Sequence, residues 1–237
     1  MFAGVPANLQ AQETKTKAKA KAPAKADSTT DPVPREGGWM KRHETHLERV
    51  KPGKADVVFI GDSITQGWEG AGRDVWTRFY GSRNAVNLGI GGDRTQHVLW
   101  RLDHDEVKGI NPKVAVVMIG TNNVGGNSAD EIAKGVTAIV KSLRDKLPKT
   151  KVLLLAVFPR GEKPNSGRDK IKQLNEKIKT LDDGKNVHYL DISKAFLNDD
   201  DTISKEIMPD YLHLSPKGYR IWADSIEPTL WKLMEEK

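Results

Sequence analysis

Five residue positions carry the side chains or backbone from which an acyl-transfer site is assembled, and each stands just after an apolar run or just before a helix. Ser63 follows Val57-Val58-Phe59-Ile60-Gly61-Asp62. Gly92 lies in the turn Gly89-Ile90-Gly91-Gly92-Asp93-Arg94-Thr95, and Asn122 in Gly120-Thr121-Asn122-Asn123. Asp210 and His213 stand three apart, ahead of Ser215-Pro216. A serine hydroxyl is a weak nucleophile and needs a base, for which imidazole is suited because its ordinary pKa lies near neutrality. A carboxylate on the second ring nitrogen fixes the tautomer and stabilises the imidazolium. Asp210 and His213 are close enough in sequence to do this within one turn of backbone. The tetrahedral intermediate bears an oxyanion. Backbone N–H groups of Ser63 and Gly92 and the Asn122 amide would hold it, each donor being worth roughly 3 kcal/mol in the barrier. Local readings compete at several of these positions. Asp62-Ser63 also suits the cap of a following helix, and Asp62 suits a hydrogen bond to its own turn rather than chemistry. Asn122 and Asn123 could exchange the donor and structural roles.

The positioning elements are legible as alternating strands and helices. Ala55–Ile60, Asn84–Leu88, Val114–Ile119, Val152–Val157 and Val187–Leu190 read as strands, most of them apolar enough to be buried on both faces. Between them, Asp74–Tyr80, a helix carrying Val98, Leu99 and Leu102, a helix opened by Ser128 with Glu131 in capping-box spacing, and Asp169–Leu181 read as helices. Ser215-Pro216 opens the last helix. Trp39–Val50 has helical spacing with Met40, His43, Leu47 and Val50 along one side. This alternation predicts an α/β three-layer sandwich: a five-stranded parallel sheet, order 2-1-3-4-5, covered by helices on both faces. Ligands bind beyond the carboxyl ends of such strands, so Ser63, Gly92 and Asn122 converge on one edge.

Composition bounds the rest. The chain has 237 residues, no cysteine and a net charge of +6. A disulfide, a Cys-ligated zinc and a thiol nucleophile are thereby excluded. Residues 1–38 hold six Lys or Arg and four Asp or Glu, so they supply +2. The remaining +4 over the folded portion defines no nucleic-acid face. Residues 1–38, rich in Lys, Ala and Pro, read as a disordered tail, because such a segment buries too little apolar surface to offset its ordering entropy. Their start, MFAGVPANLQAQ, reads either as the end of a signal peptide, which would place the protein outside the cytoplasm or in a periplasm, or as an ordinary N-terminus of a cytoplasmic protein. No apolar run approaches the length of a membrane span. His43 and His46 lack a third ligand and read as a packed or solvated helix face rather than a metal site. Asp199–Asp201 lacks the EF-hand pattern and reads as solvated loop. Trp68, Trp76 and Trp100 read as core or pocket wall, and Arg94 and His97 as pocket lining or structural.

The blocks Gly61-Asp62-Ser63, Gly91-Gly92, Gly120-Thr121-Asn122-Asn123 and Asp210-x-x-His213 occur in the order found in the GDSL or SGNH hydrolases, which the chain resembles from about Ala55 to Leu230. NLGIGGDRTQHVLWRL, PKVAVVMIGTNN, PRGEKPN and DYLHLS are most similar to the catalytic alpha subunits of intracellular platelet-activating-factor acetylhydrolase. The resemblance implies a flavodoxin-like fold over 39–237, Ser63 as nucleophile, Asp210 and His213 completing a triad, and Ser63, Gly92 and Asn122 as oxyanion donors. It implies no metal or organic cofactor, a small ester substrate (an acetylated carbohydrate or a lipid-like ester), and a homodimer. The expected activity is hydrolysis of short-chain, acetyl esters. The competing reading is a non-catalytic binding protein on the same fold, attached to an acidic surface by its basic tail.

Overall fold

The computed structural model describes Met1 and residues 28–235. Five parallel strands, β1 (Val57–Gly61), β2 (Ala85–Gly89), β3 (Val114–Met118), β4 (Lys151–Leu155) and β5 (Val187–Leu190), form one sheet in the order β2-β1-β3-β4-β5. This is the order expected from the alternation of elements. The strands are in plain register, with Val57 opposite both Ala85 and Val114.

Successive side chains of a strand point to opposite faces, and the two cores divide accordingly. Val58 and Ile60 join Ala115, Val117, Val152 and Leu154 on one face. Helices α1 (Gly38–Val50), α4 (Thr95–Asp103), α5 (Ala129–Lys146) and α6 (Ser166–Ile178) contribute apolar residues to that core. Val57 and Phe59 join Val114, Val116, Leu153 and Leu155 on the other face. There α2 (Ser63–Gln66), α3 (Arg73–Tyr80) and α7 (Pro216–Leu233) supply Ile64, Tyr80, Trp222 and Ile226. β1 and β3 lie inside the sheet and are buried along their whole lengths, which is why they read as unbroken apolar runs.

Caps set where the helices begin. Ser128 Oγ accepts the Glu131 N–H while Glu131 reaches back to the Ser128 N–H, the reciprocal pair expected from their spacing. α6 starts at Ser166, three residues before its expected start, because the Asn165 side chain takes the Gly167 and Arg168 N–H groups. Ser215 caps α7, with Pro216 in the first turn.

Two expectations need correction. The buried side of α1 is Trp39, His43, His46 and Val50, not the stripe through Met40 and Leu47. Each imidazole has a partner at one ring nitrogen, while His43 Nδ1 and His46 Nε2 have no hydrogen-bond partner among the described residues. His43 Nε2 meets the His104 carbonyl at 3.0 Å, and His46 Nδ1 meets Glu106 Oε1 at 2.8 Å. The second correction concerns the tail. Residues 28–37 lie against the domain: Thr29 is buried, its hydroxyl donates to the Glu131 carbonyl at 2.6 Å, and the Val33 N–H donates to the Gln96 carbonyl at 3.2 Å. Hydrogen bonds to distant residues hold this stretch, so its low apolar content does not decide its order. Residues 2–27, including most of the MFAGVPANLQAQ stretch, lie outside the described residues. Among the described residues no helix is long and apolar enough to cross a membrane.

Charged residues also close the outer edge of the sheet. β2 is an edge strand, and an open edge is a template for unwanted pairing. Arg42 Nε donates to the Gly89 carbonyl and Arg49 Nη1 to the Asn87 carbonyl, at 2.9 and 3.1 Å. Both guanidinium groups pair with Glu69. Burial works against ionisation of Glu69, but these two partners hold its carboxyl below the usual range.

Candidate active site

Gly61 ends β1 where the chain must pass close to its neighbours: a Cβ there would run into the Thr65 hydroxyl and the Met118 carbonyl. The chain turns, and Asp62 caps α2 by accepting the Ile64 N–H at 3.0 Å. Ser63 is therefore the first residue of a helical turn, with its own N–H among the donors that have no intrahelical acceptor. The capping reading of Asp62 holds, and the cap sets where Ser63 stands at the start of α2. Asp62 is fully buried. Burial pushes its carboxyl up to about 7, against the opposing effects of the Ile64 hydrogen bond and the neighbouring His213. Oδ2 of Asp62 has no hydrogen-bond partner among the described residues.

His213 stands between the serine and an aspartate. Its Nε2 is 2.9 Å from Ser63 Oγ and its Nδ1 is 2.6 Å from Asp210 Oδ2. Asp210 also shapes the loop that carries the histidine, because its Oδ1 accepts the Leu212 and His213 N–H groups at 3.1 and 2.7 Å. Partial burial alone would raise the Asp210 carboxyl. The hydrogen bonds from the His213 side chain and from the two main-chain N–H groups outweigh it and hold the carboxyl below its ordinary value. The turn needs Tyr211 at φ +60°, a left-handed conformation unusual for a bulky residue. A bond from the Gly161 N–H to the Tyr211 carbonyl at 2.8 Å anchors it to the loop after β4. Asp210 and His213 are both exposed and Ser63 half-buried, so the series opens to solvent.

The other two strand ends meet this group. The Gly91 N–H is taken by Gln66 Oε1 at 2.7 Å, which ties the turn after β2 to α2. The Gly92 N–H makes no hydrogen bond among the described residues. Asn122 Nδ2 donates to the Asp93 carbonyl at 2.8 Å, which orients the amide and leaves its second N–H for another acceptor. Asn123 is the structural neighbour. It is buried, takes the Thr95 N–H at 3.1 Å, and donates to Gln96 Oε1 and Asn127 Oδ1.

Beneath the turn lies a buried ionic cluster that sequence reasoning missed. Arg101 is wholly buried, and its guanidinium joins Asp93, Glu106 and the Leu88 carbonyl, with the Gly61 carbonyl at 3.3 Å. It therefore fastens the ends of β1 and β2 to the turn that carries Gly92. Glu106 is held ionised well below the usual carboxylate range. Burial would raise it, but Arg101 and the imidazoles of His43 and His46 more than reverse that effect. In the sequence a lone arginine on a helix gives no sign of burial. Of the other residues noted there, His97 Nδ1 accepts the Arg94 N–H at 3.0 Å. Trp68 is buried core, while Trp76 and Trp100 are half-buried. Asp200 accepts from Thr202 within its loop. Among the described residues no group of three or more His, Asp or Glu side chains is placed to hold a metal ion.

Fold and site together define a class: a parallel α/β sandwich with a serine, a histidine and an aspartate in hydrogen-bonded series at the carboxyl edge of the sheet. The family model described as "GDSL-like Lipase/Acylhydrolase family" matches residues 59–221. The alpha1 subunit of platelet-activating factor acetylhydrolase IB from Homo sapiens is 38% identical over 205 residues, covering 86% of this chain and 87% of that one. A GDSL-like lipase from Bacteroides thetaiotaomicron superposes with a TM-score of 0.67 at 24% identity, covering 81% of this chain and 97% of the other. An acetylxylan esterase from Geobacillus stearothermophilus superposes with a TM-score of 0.60 at 20% identity, over 76% and 94% of the two chains. These two structures share the fold. The chain belongs to the GDSL-like lipase and acylhydrolase family, and it is an ester hydrolase.

Proposed function

We propose that the protein is a serine esterase that cleaves short acyl esters, with acetyl as the preferred group. The observation that carries this reading is the single imidazole bridging Ser63 Oγ and Asp210 Oδ2 at 2.9 and 2.6 Å. In the proposed reaction His213 Nε2 takes the Ser63 proton as Oγ attacks the ester carbonyl. Asp210 stabilises the imidazolium through Nδ1. The oxyanion receives the N–H groups of Ser63 and Gly92 and the second Asn122 N–H. Collapse expels the alcohol, which takes its proton from His213, and water repeats the sequence on the acyl-enzyme to release the carboxylic acid.

The acetyl preference rests on the sequence relatives, which are named as acetylhydrolases. The ester substrate is an acetylated carbohydrate or a lipid-like ester; the acetylxylan esterase that shares the fold supports the former. Hydrolysis of a short aryl acetate by the folded wild type, lost by several orders of magnitude in Ser63→Ala, is the expected result. A Ser63→Ala variant with full activity would overturn the mechanism. Rates should fall steeply from acetyl to octanoyl esters, and a rising series would refute the acetyl preference.

A further inference from the structure

The oxyanion turn is gripped from outside as well as from beneath, by a segment that precedes both the sheet and the family match at residues 59–221. Thr29 is buried, and its carbonyl accepts the Thr95 hydroxyl at 2.8 Å. The Val33 N–H donates to the Gln96 carbonyl. Arg35 Nη1 donates to the Gly91 carbonyl at 2.7 Å and lies 3.4 Å from Asp93 Oδ1. The Trp39 indole N–H donates to the same Asp93 oxygen at 2.6 Å, from a ring that is itself buried. Asp93 in turn passes its carbonyl to Asn122 Nδ2 and its Oδ2 to Arg101 Nε.

Gly92 stands between these contacts with its N–H uncommitted. Its φ is +76°, and a Cβ there would sit 3.1 and 3.2 Å from the two terminal nitrogens of Arg35. The left-handed backbone favours glycine at this position, and the Arg35 guanidinium packs over it. Donors that are fixed before reaction stabilise an oxyanion without reorganisation cost. A glycine turn held only by its own backbone would have to be ordered at each turnover.

We infer that residues 28–39 form a strap that fixes the oxyanion turn in its working shape, and that Arg35 and Trp39 are positioning residues for the Gly92 N–H and the Asn122 amide. Arg35 fixes the carbonyl of Gly91, one residue before the donor, and Trp39 fixes the side chain of Asp93, one residue after it. Asp93 carries the constraint on to Asn122. Arg35 also brings a positive charge beside the place where negative charge develops. The inference rests on the proposed roles of Gly92 and Asn122.

The test uses the full chain with Arg35→Ala, Arg35→Lys and Trp39→Phe, the last removing one N–H donor while keeping a ring. Active sites are counted with a serine-directed organophosphate, so that kcat is read per working site. The strap predicts that kcat on an aryl acetate falls about 10- to 100-fold in Arg35→Ala and in Trp39→Phe, below the loss of a whole donor, with KM within about threefold. Arg35→Lys, which keeps a donor for the Gly91 carbonyl, recovers part of the loss. A trifluoromethyl ketone, which mimics the tetrahedral species, loses affinity in step with kcat/KM. Hydrogen exchange of the amides of residues 91–95 speeds up in Arg35→Ala and Trp39→Phe, while β3 and β4 are unchanged. Variants with wild-type kcat per site and wild-type exchange would overturn the inference. So would variants that lose only sites and melting temperature, since that marks ordinary structural damage. If the wild type cleaves no ester, the proposed esterase reading fails, and the exchange experiment still decides whether the strap orders the turn.

Discussion

Ser63 Oγ and Asp210 Oδ2 are both within hydrogen-bond reach of one imidazole, so among the described residues His213 connects them. The Asn122 amide is oriented by a bond already made to Asp93, which makes it a preorganised donor. Asn122→Ala should lower kcat on an aryl acetate by roughly 10²- to 10³-fold with little change in KM; steady-state kinetics on the folded variant checks this. Asp62 makes a different prediction. Its carboxyl is pushed up to about 7 by burial, whereas in the unfolded chain it titrates near 3.9. The folded state therefore binds the proton more tightly than the unfolded chain. This contribution to stability is complete below about pH 4 and is lost as the pH rises through about 7. Asp62→Asn mimics the protonated form and removes the dependence. Urea unfolding at pH 5 and pH 8 should show the wild type losing on the order of 2 kcal/mol more than the variant between the two. Equal losses would contradict the buried, protonated carboxyl.

At the scale of elements, the strands were the most legible feature of the sequence. β3 is Val-Ala-Val-Val-Met, buried at every residue, and a short β-branched run between turn signals suits a central strand. Ser128 and Glu131 announced their capping box for an equally local reason. Three features were not legible, because their order depends on partners far away in sequence. α1 buries Trp39, His43, His46 and Val50, and His43 and His46 each bond one ring nitrogen to a partner 61 or 60 residues away, the His104 carbonyl and Glu106. Most of the strap is polar or proline, yet its bonds reach residues 91–96 and 131. Arg101 is buried where charge alone places an arginine in solvent. Its removal leaves Asp93 and Glu106 buried without their common cation. Arg101→Ala should cost roughly 3–5 kcal/mol in equilibrium denaturation, and a loss under 1 kcal/mol would show that the cluster is not holding the strand ends.

The whole molecule separates a stability face from a chemical edge. Two cores cover the sheet, and the proposed reacting groups all lie where β1, β2 and β3 end and in the loop before α7. That separation is why the fold and the proposed site draw on different signals, apolar alternation for one and polar residues at strand ends for the other. It also predicts that the two can be damaged independently. Trp222 is fully buried on α7 among Phe59, Trp68, Phe158 and Tyr219. Trp222→Ala should cost roughly 3–5 kcal/mol while leaving kcat per titrated active site within a few-fold of wild type. A collapse of kcat in the molecules that remain folded would show that the aromatic core also shapes the site. The central claim is that Ser63 is the nucleophile, and covalent labelling addresses it most directly. The protein is treated with an aryl dialkyl phosphate, and the modified residue is located by peptide mass spectrometry. The account predicts a single adduct on Ser63, loss of esterase activity in proportion to labelling, and no adduct in Ser63→Ala. Stoichiometric labelling at another residue, with activity lost in step, would contradict it.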